Sequence, residues 1–164
     1  MKQYVYMGNE YPLKAMVDGA VKKPVITFDG SHFICKVPEP GEVDIAKALR
    51  KFYKKACRKV ILERLNHYQP QIKIKYKDVT IEQNDKRWGS CSSRASLNFN
   101  YRLLMAPIEV IDYIVVHEMC HMDYMDHSKE YWHRVKEVMP EYLKYENWLK
   151  DNGKYLNFDY MESL

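Results

Sequence analysis

The residues best suited to catalysis or metal binding form the run His117-Glu118-Met119-Cys120-His121. On an α-helix, at about 100° per residue, the two histidines differ by about 40° in azimuth and lie one turn apart. Both imidazoles can therefore bind one ion, and Zn²⁺ is the metal that such nitrogen ligands favour. Glu118 falls about 60° from His121, on the flank of this face. A carboxylate there is placed as the general base for a metal-activated water.

A catalytic zinc site needs a third protein ligand, and His127 follows His121 by six positions. If the helix continued, His127 would lie about 15 Å from His117 along the axis, out of reach of the same ion. We therefore predict that the helix ends soon after Met122 and that the chain turns back. The alternative third ligands are His133, Glu137 and Glu141.

The turn before His127 must differ from the glycine-containing turn that usually accompanies this spacing of histidines. HExxHxxxxxH is the spacing of the metzincin proteases, which place a glycine where this chain has Tyr124. Because a tyrosine rarely adopts a positive φ, we predict another turn, which presents His127 at the start of the next helix. Asp126 or Ser128 is the expected cap of that helix.

The remainder of the metal-binding helix predicts its packing. Val110 and Ile114 share the azimuth of the histidines, so the ligand face continues an apolar, buried stripe, whereas Asp112 points the opposite way and should face solvent. A single histidine on an apolar face is usually a neutral core residue. Two at ligand spacing, with a glutamate between them, favour a metal site.

The elements around this helix predict one α+β domain over residues 1–164. Residues 1–40 are β-rich, with a hairpin at Asp29-Gly30. The pattern then predicts one long helix from residue 42 to residue 67 or 68. The runs QIKIKY, VTIEQ and SLNFNYRLL are expected strands, and RWGSCSS lies between the last two. Helices are expected over 108–122, 128–139 and 141–151, and 84–150 should form the catalytic core.

Composition and charge exclude several classes of protein. With 46% hydrophobic and 29% charged residues, the chain is neither disordered nor fibrous, and no apolar run is long enough to span a membrane. The four cysteines form no CxxC pair, and the first residues do not resemble a signal peptide. We therefore expect reduced thiols and a cytoplasmic location.

The net charge of +4 conceals one strongly basic segment. Residues 44–66 carry a charge of +6, because they include eight basic residues and only two acidic ones, Asp44 and Glu63. The basic residues are Lys47, Arg50, Lys51, Lys54, Lys55, Arg58, Lys59 and Arg64. A solvated helix face is the simpler interpretation, and a helix that faces nucleic acid is the alternative.

The region from about residue 84 to 148 resembles the YgjP-like metal-dependent hydrolase family, small zinc metallopeptidase-like proteins akin to the SprT-like proteases. The residues that carry the resemblance are Trp88-Gly89-Ser90-Cys91, Leu97-Asn98-Phe99, Val116-His117-Glu118, Asp126-His127-Ser128, Pro140 and Trp148. The family often has Asn where Asp126 stands, and residues 1–40 and 154–164 match poorly.

This resemblance implies a zincin-like metallopeptidase fold, with a small twisted β-sheet, a long helix packed across it, the HExxH helix and C-terminal helices. It also implies that His117, His121 and His127 bind one zinc ion and that Glu118 is catalytic. The expected function is zinc-dependent hydrolysis of peptide bonds in a peptide or protein substrate. The alternatives are a non-peptidase zinc amide or ester hydrolase, and a DNA-associated SprT-like protease that docks through helix 44–66.

Two further features of the sequence allow more than one interpretation. The donor to the tetrahedral oxyanion is one of Tyr101, Tyr124, His133 and Arg87. The RWGSCS run either forms a sheet edge to which an extended substrate adds as a strand, or is a structural turn with Trp88 in the core.

Overall fold

The N-terminal part of the chain folds into a four-stranded sheet. The computed structural model describes residues 2–41 and 43–164. The strands are β1 (Gln3–Tyr6), β2 (Asn9–Val17), β3 (Val25–Phe28) and β4 (Phe33–Val37), in the order β1-β2-β4-β3. β2 and β4 are parallel, and the two outer pairs are antiparallel. The predicted hairpin is confirmed: β3 and β4 pair from Phe28 opposite Phe33, and Asp29 accepts the backbone N–H groups of Ser31 and His32.

A long helix, α1 (Ile45–Tyr68), follows this sheet. Its predicted first residue, Glu42, lies outside the described residues. Asp44 caps the helix, because its side chain accepts the N–H of Lys47 at 3.1 Å. The fully buried side of α1 repeats every four residues: Leu49, Tyr53, Cys57, Ile61 and Leu65. α1 thereby packs against β3 and against the elements of the second half of the chain.

A second, three-stranded sheet follows, so the described residues form two small sheets, whereas the sequence predicts one. It consists of β5 (Asp78–Glu82), β6 (Gly89–Cys91) and β7 (Ser96–Asn100), in the order β5-β7-β6. β5 is parallel and β6 antiparallel to β7, and β6 is an edge strand.

The strands predicted at QIKIKY and at the end of SLNFNYRLL are wrong. Ile72 is buried, but Ile74 is 44% exposed, so the two isoleucines do not form the shared buried face of a strand. The second run leaves the sheet after Asn100, whose side chain accepts the N–H of Arg102 and starts a 3₁₀ helix over Tyr101–Met105. A side-chain cap here outweighs the alternating pattern.

Four helices complete the fold: α2 (Ile108–Cys120), α3 (Lys129–Val138), α4 (Tyr142–Asn152) and α5 (Phe158–Ser163). The predicted bounds of the first three agree within two residues, whereas α5 was not predicted. α2 contacts α1, α3, α4 and β6. No helix in the described part of the chain combines the length and the apolar character needed to cross a lipid bilayer.

The expectation that Asp112 faces solvent is wrong. Asp112 is 8% exposed, and its carboxylate binds the guanidinium of Arg64 on α1 at 2.6 and 2.9 Å. Neighbouring elements cover α2 on several sides, so this helix has no wide solvent face.

Candidate metal centre

The end of α2 carries the histidine pair and the turn that follows it. His117 and Glu118 lie in the last turn of α2, and His121 is its C-terminal cap. The N–H groups of Asp123 and Tyr124 both bond to the carbonyl of Cys120, which closes the helix. Among the described non-glycine residues, only Met7 and Ala95 have a positive φ. The chain thus turns back without a left-handed Tyr124.

The reversal brings His127 to the start of α3. The Asp126 carboxylate accepts the N–H of Ser128, and the Ser128 hydroxyl accepts the N–H of Tyr131 as the cap of α3. His127 therefore directly precedes the helix cap. A short polar turn sets its position relative to α2.

Three imidazoles meet at this point. His117, His121 and His127 each offer one nitrogen, and these three atoms lie within 4.8 Å of one another. In the described residues, no other group of three or more His, Cys, Asp or Glu side chains comes together in this way. The alternatives lie elsewhere: His133 pairs with Glu137 at 3.3 Å, and Glu141 stands at the start of α4.

Aromatic residues of α3 hold the imidazoles in place. The Tyr131 ring stacks on His121, with centroids 4.3 Å apart, and its hydroxyl donates to the carbonyl of His117 at 2.8 Å. Trp132 stacks on His127 at 5.7 Å. The sequence analysis missed these contacts. Their only signal is the run Tyr131-Trp132, one helical turn after His127.

A backbone carbonyl sets the orientation of His121. Its Nδ1 lies 2.9 Å from the carbonyl oxygen of Tyr124, so Nδ1–H donates and Nε2 keeps its lone pair. Metal-binding histidines commonly donate their second nitrogen to such an acceptor. The arrangement therefore suits His121 as a ligand through Nε2.

The electrostatics also suit a cation. Burial, and then the neighbouring His121 and His127, lower the pKa of His117 to about 3, and burial lowers the pKa of His121. Both rings are therefore neutral at pH 7 and can donate a lone pair to a metal. Burial raises the pKa of Glu118 to about 8, although Arg87 acts in the opposite direction. A divalent cation nearby would favour the ionised carboxylate.

Glu118 lies directly beneath the edge strand β6. A Cβ atom on Gly89 would stand 3.1 Å from Oε2 of Glu118 and 3.0 Å from the carbonyl oxygen of Asn98. Glycine thus permits the close approach of the strand to the carboxylate. A cavity of about 340 Å³ opens here, and its walls include Trp88, Gly89, His117 and Glu118.

The RWGSCS run contains the edge strand β6 over Gly89–Cys91 rather than a turn. β6 pairs only with β7 in the described residues, so its outer edge has no strand partner. Trp88 is half-buried against the core: the Arg102 guanidinium lies 4.6 Å from its ring centroid, and Gly153 packs against the ring.

The four candidate oxyanion donors are dispersed. Arg87 lines the cavity beside Glu118 and pairs with Glu82 at 3.1 Å. Tyr101 is buried against Phe158, and His133 and Tyr124 do not line the cavity. Tyr113, which the sequence analysis missed, lines it, and its hydroxyl lies 3.5 Å from Nδ1 of His117. Its signal is a spacing of four from His117.

Two comparisons with known proteins bear on the family and on the fold of the chain. A family model described as a YgjP-like metallopeptidase domain matches residues 1–152. The match therefore extends over residues 1–40, whose resemblance to the family is poor at the level of motifs. No curated protein shows significant sequence similarity to the chain.

The solved structure of the metallopeptidase zymogen abylysin from Pyrococcus abyssi is similar in fold. The TM-score is 0.52 with 19% sequence identity, over 56% of this chain and 93% of that chain. At this identity the likeness concerns the fold alone. It agrees with a zincin-like α+β architecture.

Proposed function

Since the chain belongs to the YgjP-like metallopeptidase family, we propose that it is a zinc-dependent peptidase with one metal centre per chain. His117, His121 and His127 would hold the ion, and Glu118 would be the general base. The observation that supports this most directly is the grouping of three imidazole nitrogens within 4.8 Å beside a buried carboxylate. The donor set fits Zn²⁺, which accepts three nitrogen ligands and keeps one place open.

The residues of the chain divide the work of hydrolysis. When bound, zinc supplies a Lewis acid that activates water and polarises a carbonyl group. Glu118 accepts the proton of the attacking water and passes it to the leaving amine. Tyr131 and the Tyr124 carbonyl keep the ligands of α2 oriented. Arg87 and Tyr113 are the side chains at the cavity best placed to stabilise negative charge on the substrate.

We infer that the substrate is a peptide or protein segment bound in extended form. The free edge of β6 passes directly over Glu118, and an extended chain can add to such an edge through its backbone. A small amide or ester would leave this edge unused. The edge strand therefore favours a peptidase over a non-peptidase zinc hydrolase. The four cysteines are free thiols, which supports a reducing compartment such as the cytoplasm.

The test combines metal analysis with hydrolysis of an unstructured protein. The purified protein should contain about one zinc per chain. Glu118→Gln should keep the zinc and lose hydrolysis by about 100-fold or more, because the proton acceptor is gone. His121→Ala should lose both. Glu63→Gln, an exposed site on α1, is the matched control and should change neither.

The outcomes separate the parts of the proposal. No zinc after reconstitution would contradict the metal centre. Full activity of Glu118→Gln would exclude Glu118 as the general base. Cleavage of small amides or esters without cleavage of unstructured proteins would support a non-peptidase hydrolase instead.

A further inference from the structure

The solvent side of α1 carries a continuous basic surface, which we call the basic face. It consists of Lys47, Lys51, Lys54, Lys55, Arg58 and Lys59, all exposed. At about 100° per residue these six side chains fall within an arc of about 140°. None of the ion pairs formed among the described residues includes one of them. These six charges therefore have no ion-pair partner among the described residues, although Glu39 and Asp44 line a cavity beside Lys47 and Lys51.

A second element adds positive charge to the same surface. Lys23, from the segment before β3, lines a cavity of about 480 Å³ together with Lys47 and Lys51. The pKa of Lys51 is lowered, first by Lys23 and then by Lys55 and Lys47. Like charges held this close repel one another, and an anion between them would relieve the repulsion. The surface therefore favours an anionic partner.

We propose that the basic face binds the phosphate backbone of double-stranded DNA without reading its sequence. From Lys47 to Lys59 the face is about 18 Å long, at 1.5 Å per residue. The major groove is about 12 Å wide, so the face can reach phosphates on both of its sides. Contacts of lysine and arginine with phosphate give affinity but carry no sequence information.

Other polyanions fit the surface less well. A helix that inserts into a lipid surface needs an apolar face, but the apolar side of α1 is buried in the core, so lipid would be held by charge alone. Proteins that bind single strands stack bases on exposed aromatic rings. Phe52 and Tyr53, the aromatic residues within the basic stretch, are half-buried and buried. A duplex, recognised through its phosphates, requires neither feature.

This proposal is independent of the peptidase activity. The metal-binding histidines lie on α2 and before α3, whereas the basic face belongs to α1. DNA binding can therefore be measured on the intact protein with or without zinc. A protein that fails as a peptidase can still bind DNA, and the reverse also holds.

The experiment measures fluorescence anisotropy of a labelled duplex of about 20 base pairs between about 50 and about 200 mM salt. The intact protein should bind, and log Kd should rise with log salt with a slope of about 4.5 to 5.5, as expected for five or six neutralised phosphates. Charge reversal at Lys51, Lys54 and Lys55 should weaken binding by about tenfold or more and reduce the slope.

A matched control reverses three exposed lysines of α3 and α4, at Lys129, Lys136 and Lys144. It changes the net charge equally and should weaken binding by less than about threefold, because only the long-range field changes. A milder double variant, Lys51→Gln with Lys55→Gln, should keep the fold and lower the slope by about 2. Circular dichroism of each variant verifies folding.

Several results would overturn the proposal. One is an absence of duplex binding at about 50 mM salt. Another is an equal loss of affinity in the two triple variants, which would mean that net charge alone matters. A third is binding to vesicles rich in phosphatidylserine without binding to the duplex. Tighter binding to a single strand of the same length would also overturn it.

Discussion

Burial shifts the pKa values of two neighbouring residues at the metal centre in opposite directions. The pKa of Glu118 rises from its ordinary value of 4.5 to about 8, and that of His117 falls from 6.5 to about 3. In the metal-free protein, both side chains are therefore neutral near pH 6. Both shifts disfavour a charge that no cation compensates, so they link the stability of the metal-free fold to pH.

Metal-free protein should lose stability on both sides of a pH window. Between pH 4.5 and about 8, the native state holds a proton on Glu118 that the unfolded state has released, so stability falls as pH rises. Between pH 6.5 and about 3, the unfolded state protonates His117 and the native state does not, so stability falls as pH falls. The two slopes oppose each other between pH 4.5 and 6.5. Above pH 6.5 the effect of Glu118 remains alone.

Urea unfolding of chelator-treated protein at several pH values checks this prediction. Between about pH 6.5 and about pH 8, the free energy of unfolding should decline in the unmodified chain and stay level in Glu118→Gln. The control Glu63→Gln should decline like the unmodified chain. An equal decline in Glu118→Gln would show that another group causes the pH dependence.

Residue spacing predicted how these side chains could be grouped because one helix turn relates His117 to His121. The spacing could not predict which side chains pack against the three histidines. Tyr131 and Trp132 reach the imidazoles from α3, and this contact depends on the angle between two helices. The same holds for Gly89, whose importance appears only when β6 passes over Glu118.

At the scale of elements, a largely buried ion pair joins the long helix to the metal-binding helix. Arg64 of α1 and Asp112 of α2 form two hydrogen bonds, and the Tyr68 hydroxyl donates to the same carboxylate at 3.2 Å. The hydrogen bond from Arg64 to Asp112 is the main reason that the pKa of Arg64 is raised. The pair therefore helps to fix α2 against α1, on the side of α2 away from the histidines.

Asp112→Ala should lower the free energy of unfolding by about 2 kcal/mol, because it leaves Arg64 and Tyr68 without their acceptor. The loss should be smaller than for a fully enclosed pair, since 26% of the Arg64 side chain is exposed. Asp151→Ala, at an exposed site on α4, is the control and should cost less than about 0.5 kcal/mol. Equal midpoints of urea unfolding for the two variants would contradict a stabilising role for the pair.

Bounds of elements were predictable where local signals were strong. Ser128 marks the start of α3 and Gly153 the end of α4, because caps act within a few residues. The division into two sheets was not predictable, since strand pairing joins residues far apart in sequence. The same reason explains the solvent face assigned to Asp112: helix azimuth shows which side is opposite the histidines, but not that Arg64 covers it.

At the scale of the whole molecule, the two ends of the chain are joined. Phe158 of α5 packs edge-on against Tyr4 of β1 and against Tyr53 of α1. The Tyr4 hydroxyl donates to the Glu162 carboxylate at 3.2 Å, and the Lys2 ammonium donates to the Glu162 carbonyl. The segment 153–164 lies beyond the family match, yet it also contacts Trp88 beside the metal centre through Gly153. It therefore connects the N-terminal sheet with the catalytic region.

If residues 1–164 form one domain, a defect in this junction should lower the stability of both halves together. Phe158→Ala removes a ring that is 6% exposed and should cost about 3 kcal/mol. The tryptophans lie at positions 88, 132 and 148, all in the catalytic region, so their fluorescence reports on that half, which Phe158 contacts through Tyr101. In one cooperative unit, tryptophan fluorescence and far-ultraviolet circular dichroism should shift to the same lower urea midpoint. Leu164→Ala, at a residue 78% exposed, should leave both signals unchanged. If the fluorescence midpoint stays fixed in Phe158→Ala while the circular dichroism midpoint shifts, the N-terminal part and the catalytic core unfold separately. The single-domain prediction would then be wrong.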